Sequence, residues 1–407
     1  MAGNARKALL VTQFYRPELL GSGPFCADLA EWLTKRGWEV TVIAGLPHYP
    51  DPDVFAAERA KTPGHQEING VRVERVRARI SKKGGALSRI LSELSFFLGG
   101  LRHVITGRVK RHDLVISLCP SIFSVALGAV ACRRRGRHVA IVHDIQSGLA
   151  KGLKMVSAPG IVTVMRIVER MVFNRTDLLT VLTREMADQL RENGIKAPID
   201  FFPIWVDLDR FAEAIEPPNG PVKIIYSGNF GKKQGLGQIV TMADVLQRTR
   251  PEMTIIMRGR GNQAEPLRQQ IESHGLTNIR LEELLPDEAL YRGLMETDIH
   301  LVPQMPDAAP FALPSKIFNI MAAGRPFVAT AGRLSPLWGL QRASGAFICV
   351  PPNDPSAFAE AVLRLADDPG LRRVLGERGK QFVARHNDKS KVLEAFEARI
   401  EKLCVHS

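Results

Sequence analysis

Cysteine is scarce and scattered. Five occur in 407 residues, Cys26, Cys119, Cys132, Cys349 and Cys404, and no two form a CxxC pair. An odd number without metal-ligand spacing argues against a disulfide framework and for a reducing compartment. Long apolar runs are also missing. None approaches the roughly 18 to 20 residues needed to span a bilayer. The opening stretch, MAGNARKALLVTQFY, lacks the succession of charged, apolar and small residues that marks a signal peptide. A cytoplasmic protein is therefore expected. There is no zinc finger, RRM signature or aromatic-rich basic stretch, so nucleic acid is a poor fit as partner. The GxGxxG fingerprint is absent and no acidic residue follows the second strand-like segment, which disfavours NAD.

What is present is an ordinary globular composition, 45% apolar and 24% charged. The chain is too long for a single core, so two domains are expected. The net charge of +13 is unevenly placed: residues 1–200 hold 30 Lys and Arg against 18 Asp and Glu, a balance of +12. A basic half of this kind suits an anionic membrane surface or a phosphorylated substrate.

Short apolar runs alternate with amphipathic helical stretches through nearly the whole chain, which predicts repeated βα units with parallel sheets. Strands are expected at Ala8–Tyr15, Glu39–Ala44, Val71–Val76, Leu114–Leu118, Val139–Val142, Leu178–Val181 and Ile199–Phe202. Helices are expected at Pro24–Arg36 and from about Leu87 to Thr106. The rhythm restarts with strands at Val222–Ser227 and Met253–Arg258 and helices at Leu236–Arg248 and Gln263–His274. Strands at Ile299–Pro303, Phe327–Ala329 and Phe347–Val350 follow. Pro217, Pro218 and Pro221 make residues 215–221 a linker. The expected division is thus 1–214, linker 215–221, 222–386, and a final helical segment 387–407. Two such doubly wound domains bind ligands beyond the carboxyl ends of their strands, with a cleft between them.

The loops beyond those strand ends carry the candidate chemistry. Gly21, Ser22 and Gly23 lie between the first strand and its helix, where glycines admit a phosphate close to the backbone. Taken alone, a plain turn and cap is the better reading, because isolated glycine pairs are weak motifs. The second half opens with Ser227, Gly228, Asn229, Phe230, Gly231, Lys232, Lys233, Gln234 and Gly235, a glycine-rich turn with two lysines that suits a diphosphate leaving group. Its plainer reading is a solvated basic loop. Arg258 and Arg260 sit in a third strand–glycine–helix turn. Pro314, Ser315 and Lys316 open a helix ended by Gly324, and a first-turn lysine opposes the helix dipole unless an anion is near. His143 and Asp144 end a first-half strand, a position that suits either structure or chemistry.

Taken together, these segments resemble the GT-B glycosyltransferases of family 4, in the branch that builds colanic-acid-type exopolysaccharide and O-antigen. Phe14-Tyr-Arg-Pro-Glu18, His143-Asp144, Phe202-Pro-Ile-Trp-Val-Asp207, Ser227 through Gly235, Asp298-Ile-His-Leu-Val-Pro303 and Leu313 through Pro326 carry the resemblance over essentially the whole chain. It implies an α/β GT-B fold, two Rossmann-like domains facing a central cleft. The implied reaction is a retaining transfer from a nucleoside-diphosphate sugar, UDP- or GDP-linked, with no required metal or other cofactor. His143 would orient the transferred sugar, with Asp144 beside it and Lys316 completing the catalytic group. Gly21, Ser22 and Gly23 would close over the donor. Ser227, Gly228, Asn229, Lys232, Lys233, Gln234 and Ser315 would hold the diphosphate. Arg258, Arg260, Glu283 and Leu285 would line the base pocket, and Asn319 would reach the ribose. The last helix would pack back on the first domain. Two positions depart from the family: Phe311 and Asn319 stand where it carries two glutamates, and Asn229 and Gln234 where it often has Arg and Lys.

The implied acceptor is a lipid-linked or oligosaccharide chain, handled peripherally at the inner face of the membrane. The apolar positions Leu87 through Ile105 recur at helical spacing between Lys82-Lys83 and the basic group Arg108, Lys110 and Arg111. They fit either a membrane-surface helix or a core-facing crossover. Arg133-Arg-Arg-Gly-Arg137 is either a second basic patch or simply a solvated helix end, the more usual case. A non-catalytic nucleotide-sugar-binding subunit and a GT-B sugar-nucleotide 2-epimerase are the rival functions.

Overall fold

The computed structural model describes residues 6–18, 21–48, 52–80, 86–119, 121–148, 159–213, 215–217, 220–306 and 313–405. It forms two compact units, Met1–Phe202 with Leu393–Ser407, and Pro203–Val392.

The first unit is built on strands β1 (Lys7–Val11), β2 (Glu39–Gly45), β3 (His65–Ile68), β4 (Val71–Val76), β5 (His112–Cys119), β6 (Cys132–Val142), β7 (Leu178–Val181) and β8 (Ile199–Phe201). They form one sheet in the order β3-β4-β2-β1-β5-β6-β7-β8. Every pairing is parallel except β3 with β4. The central strands are buried on both faces, which is why they read as continuous apolar runs rather than alternating ones. Helix Gly23–Lys35 follows β1, with Cys26, Leu29, Ala30 and Leu33 buried at the spacing of one helical face. Helices Ala86–Ile105, Ile122–Ala131 and Pro159–Phe173 form one layer, the middle one packed against both others.

The C-terminal helix Lys389–Val405 contributes Phe396, Glu397 and Ile400 to the first unit. Phe396 stacks on Phe202 with centroids 4.1 Å apart. The buried Glu397 carboxylate accepts from the indole nitrogens of Trp32 and Trp38 and from Arg36.

The second unit holds β9 (Ile224–Asn229), β10 (Ile255–Arg260), β11 (Ile279–Glu282), β12 (Ile299–Pro303), β13 (Phe327–Thr330) and β14 (Ile348–Val350). Their order is β11-β10-β9-β12-β13-β14, all parallel. Counted from β9 this is 3-2-1-4-5-6, the dinucleotide-fold order, whose switch point falls between β9 and β12. Ile224, Tyr226, Ile255, Met257, Ile299 and Leu301 form the core with helices Gly237–Thr249 and Pro355–Asp367. The proline-containing segment is tied to this unit, because Arg325 donates to Ile215 O and lies 3.4 Å from the Glu216 carboxylate. Pro218 lies outside the described residues.

Several sequence expectations need correction. The first strand ends at Val11 rather than Tyr15, because the chain bends once Thr12 has donated to Ile43 O. Arg133–Arg137 is the opening of β6, not a helix end. Its arginines are polar because this part of the strand is more exposed than the buried half that follows. Helix Pro159–Phe173 and strand β11 are additions. Lys82, Lys83 and Phe311 lie outside the described residues.

Candidate active site

In the second unit the site grows from the ends of β9 and β10, which run in register, Ser227 beside Arg258, Gly228 beside Gly259 and Asn229 beside Arg260. A side chain at Gly259 would place its Cβ 2.1 Å from Gly228 O, so the two backbones touch only because that position is bare. Gly228 has φ 146° and its Cβ direction points at the Lys316 side chain, 3.7 Å from Nζ. The turn beyond is clamped by backbone: Phe230 N donates to Arg260 O at 2.7 Å, and Met305 N donates to Lys233 O at 3.0 Å. Gln238 adds amide bonds to Gly235 O and Gln304 O.

Lys316 opens the helix Lys316–Ala322, whose buried Ile317, Phe318, Ile320 and Met321 fix its inner face. Its half-buried ammonium lies 3.6 Å from the Tyr226 ring centroid and 3.3 Å from Ser227 O, to which it donates. A cation over a ring face is worth about 0.5 to 2 kcal/mol. No carboxylate pairs with it among the described residues. Burial alone lowers its pKa to about 7. An anion beside Nζ would restore the proton, since an opposite charge favours the charged form.

Arg258 and Arg260 come together with the next strand end, but as ion pairs. Arg258 holds Glu282 at 2.7 Å, and Arg260 holds Glu283. Leu285 packs beside Arg258 at Gly293. Lys232 and Ser315 are exposed, while Lys233, Gln234 and Asn319 are half-buried. Tyr226, as the ring under Lys316, was not identified from sequence. Its place next to the glycine turn was the only available signal.

In the first unit a second group gathers. Gly21 has φ 70°, and a Cβ on Gly23 would come 2.8 Å from Glu18 O. Both glycines are therefore required by the turn. Ser22 is buried with no partner for its hydroxyl among the described residues. Glu18 is buried and accepts from the backbone N–H groups of Tyr15 and His48. At the end of β6, His143 N donates to Cys119 O, and its ring meets Phe25 edge-on, centroids 5.7 Å apart. The His143–Asp144 strand end thus lies beside the helix that the Gly21 turn opens. Two carboxylates that sequence reasoning missed hold the following residues. Glu93 accepts from Gln146 and from Ser121 Oγ, and Glu169 accepts from Ser147 N and Oγ.

Comparison with known proteins identifies these features. The Glycosyl transferase 4-like domain matches residues 21–205, and Glycosyl transferases group 1 matches residues 208–382. The chain belongs to the GT-B glycosyltransferases of family 4. WcaI of Escherichia coli, a glycosyl transferase assigned to colanic acid biosynthesis, is 29% identical over 94% of this chain and 96% of its own. Glycogen synthase of Mycobacterium tuberculosis is 24% identical over 92% of this chain and 89% of its own. Among solved structures, sucrose-phosphate synthase from Thermosynechococcus elongatus matches with TM-score 0.78 at 16% identity, covering 99% of this chain and all of that one. Anabaena HepE, solved with UDP-glucose, matches at TM-score 0.70 and 15% identity, covering 97% and 99%. At such identities the likeness establishes the GT-B fold of this glycosyltransferase and leaves its substrates to its own residues.

Proposed function

We propose that this glycosyltransferase takes a UDP- or GDP-linked sugar and adds it, with retained configuration, to a lipid-linked saccharide at the cytoplasmic face of a membrane. Lys316 carries the reading. It is a half-buried cation with no carboxylate partner among the described residues, set over Tyr226 at the switch point where a dinucleotide-type fold receives phosphate. The ammonium and the amides of residues 227–235 would stabilise charge developing on the departing diphosphate. Catalysis then rests on positioning and electrostatics. His143 is proposed to hydrogen-bond the transferred sugar with Asp144 beside it, and Gly21, Ser22 and Gly23 to close over the donor. Arg258, Arg260, Glu283 and Leu285 are proposed to line the base pocket, and Asn319 to bond a ribose hydroxyl in place of the family carboxylate. No helix among the described residues is long and apolar enough to cross a membrane, so attachment would be peripheral.

Calorimetric titration of the protein and its Lys316→Ala variant with UDP and GDP tests the assignment. Weakened binding in a variant that melts normally is the expected result. Equal affinity in the two proteins removes the phosphate role from Lys316.

A further inference from the structure

Helix Pro159–Phe173 turns apolar side chains both inward and outward. Val162 and Phe173 are buried against the first unit. On the opposite side, Ile161, Val164, Ile167, Val168 and Met171 are 46, 59, 42, 37 and 53% exposed. Positions 161, 164, 168 and 171 recur at three and four residues, so they form one stripe along the helix. The helix has a single acid, Glu169, and that carboxylate points inward to Ser147. A solvent-facing apolar stripe of this length marks an interaction surface.

The charges around the stripe identify the partner. Arg170 and Arg175 are exposed at the C-terminal end of the helix, and Arg134 and Arg135 are exposed at the amino end of β6. The Arg137–Asp177 pair, at 3.1 Å, brings that end of β6 next to the residues that follow the helix. None of those four arginines has an acidic partner among the described residues. Apolar side chains bordered by unneutralised arginines, in a half carrying +12, match the surface of an anionic bilayer.

We infer that this protein rests on anionic lipid through helix Pro159–Phe173, with the stripe among the headgroups and the four arginines against lipid phosphates. The inference names the surface for the membrane attachment proposed above and rests on that reading only for the choice of lipid as partner. It also moves attachment away from helix Ala86–Ile105, where Phe96, Phe97, Leu101 and Val104 are covered by the first unit's core, although Ile90, Leu98 and Ile105 remain exposed. The inner face of the same helix holds Ser147, four residues past His143. A bilayer at the outer face would therefore bring a lipid-linked acceptor close to the β6 strand end.

Flotation with vesicles tests the assignment. The protein should rise with vesicles of phosphatidylglycerol and phosphatidylcholine in equal parts and remain below with phosphatidylcholine alone. The exposed double variant V164Q/M171Q should lower the bound fraction at least about tenfold, and R170E/R175E should remove most of the dependence on phosphatidylglycerol. Unchanged flotation of V164Q/M171Q overturns the inference. So does loss of flotation with Leu98→Gln but not with V164Q/M171Q. A lipid-free dimer that V164Q/M171Q dissolves without affecting flotation also overturns it, by showing that the stripe binds a second copy. UDP titration of the same proteins confirms that the variants are folded. It also separates a failed membrane assignment from a failed transferase reading.

Discussion

In the first unit, buried carboxylates hold the loops beyond the strands: Glu18 across the turns after β1 and β2, Glu93 across those after β5 and β6, and Glu169 on Ser147. In the second unit no carboxylate is buried among the described residues. There the equivalent loops are held by backbone bonds and by the neutral amides of Gln238 and Gln304. The order β4-β2-β1-β5-β6-β7 repeats that of the second sheet, but the clamping chemistry differs. A carboxylate beside a pyrophosphate would repel it and would neutralise Lys316 in advance. Amide clamps give the same rigidity without that competing charge. In the first unit the Glu18, Glu93 and Glu169 carboxylates are themselves buried, and each already accepts from donors of the loops it holds.

The sharpest way to break this contrast is Lys316→Ala. Removal of a charge-assisted bond of about 1.5 to 3 kcal/mol should weaken UDP or GDP binding roughly 10- to 100-fold, as read by calorimetry. Glu169→Leu probes the other unit. It leaves the Ser147 N–H and hydroxyl unsatisfied, at a cost of about 1 to 3 kcal/mol in denaturant-measured stability. Turnover should fall while UDP affinity stays constant. A matching loss of UDP affinity would show that the two units do not divide the work as described.

A smaller effect follows from the Lys316 pKa. Free Lys316 loses its proton near pH 7, and a bound diphosphate would hold it charged to higher pH. Binding above pH 7 must then take up a proton, so affinity should fall as pH rises, by at most about tenfold per unit. Lys316→Arg, charged throughout, should flatten that profile. The same linkage acts on folding. Between pH 7 and the ordinary lysine range the unfolded chain binds more protons than the folded one, so this group raises stability as pH rises through that window. Least of all should change on chelation. With lysine and amides assigned to the diphosphate, transfer should proceed undiminished in EDTA, and loss of activity restored by magnesium would reassign that charge to a metal.

Much of this was readable in advance because parallel strands buried on both faces leave unmistakable apolar runs. Leu178–Val181 and Ile299–Pro303 match from end to end, as does Val71–Val76, whose valines are interleaved with Arg72, Glu74 and Arg75. Helix Pro159–Phe173 was passed over although Ile161, Val164, Val168 and Met171 recur at helical spacing, a signal that was legible in the sequence. Arg133–Arg137 was misread because exposed strand residues look like any basic turn. Lys316 could be found from its place before a helix, but Tyr226 beneath it, ninety residues earlier in the chain, could not. The pairing of Arg258 and Arg260 with Glu282 and Glu283 was equally hidden.

Local pattern alone settled the two-domain α/β architecture, the glycine turns and the family, because burial period and backbone freedom are properties of short segments. Tertiary structure decided which charges are neutralised, which lysine loses its water and which helix faces outward. Those depend on groups far apart in the chain, and their energies exist only once solvent has been excluded between them.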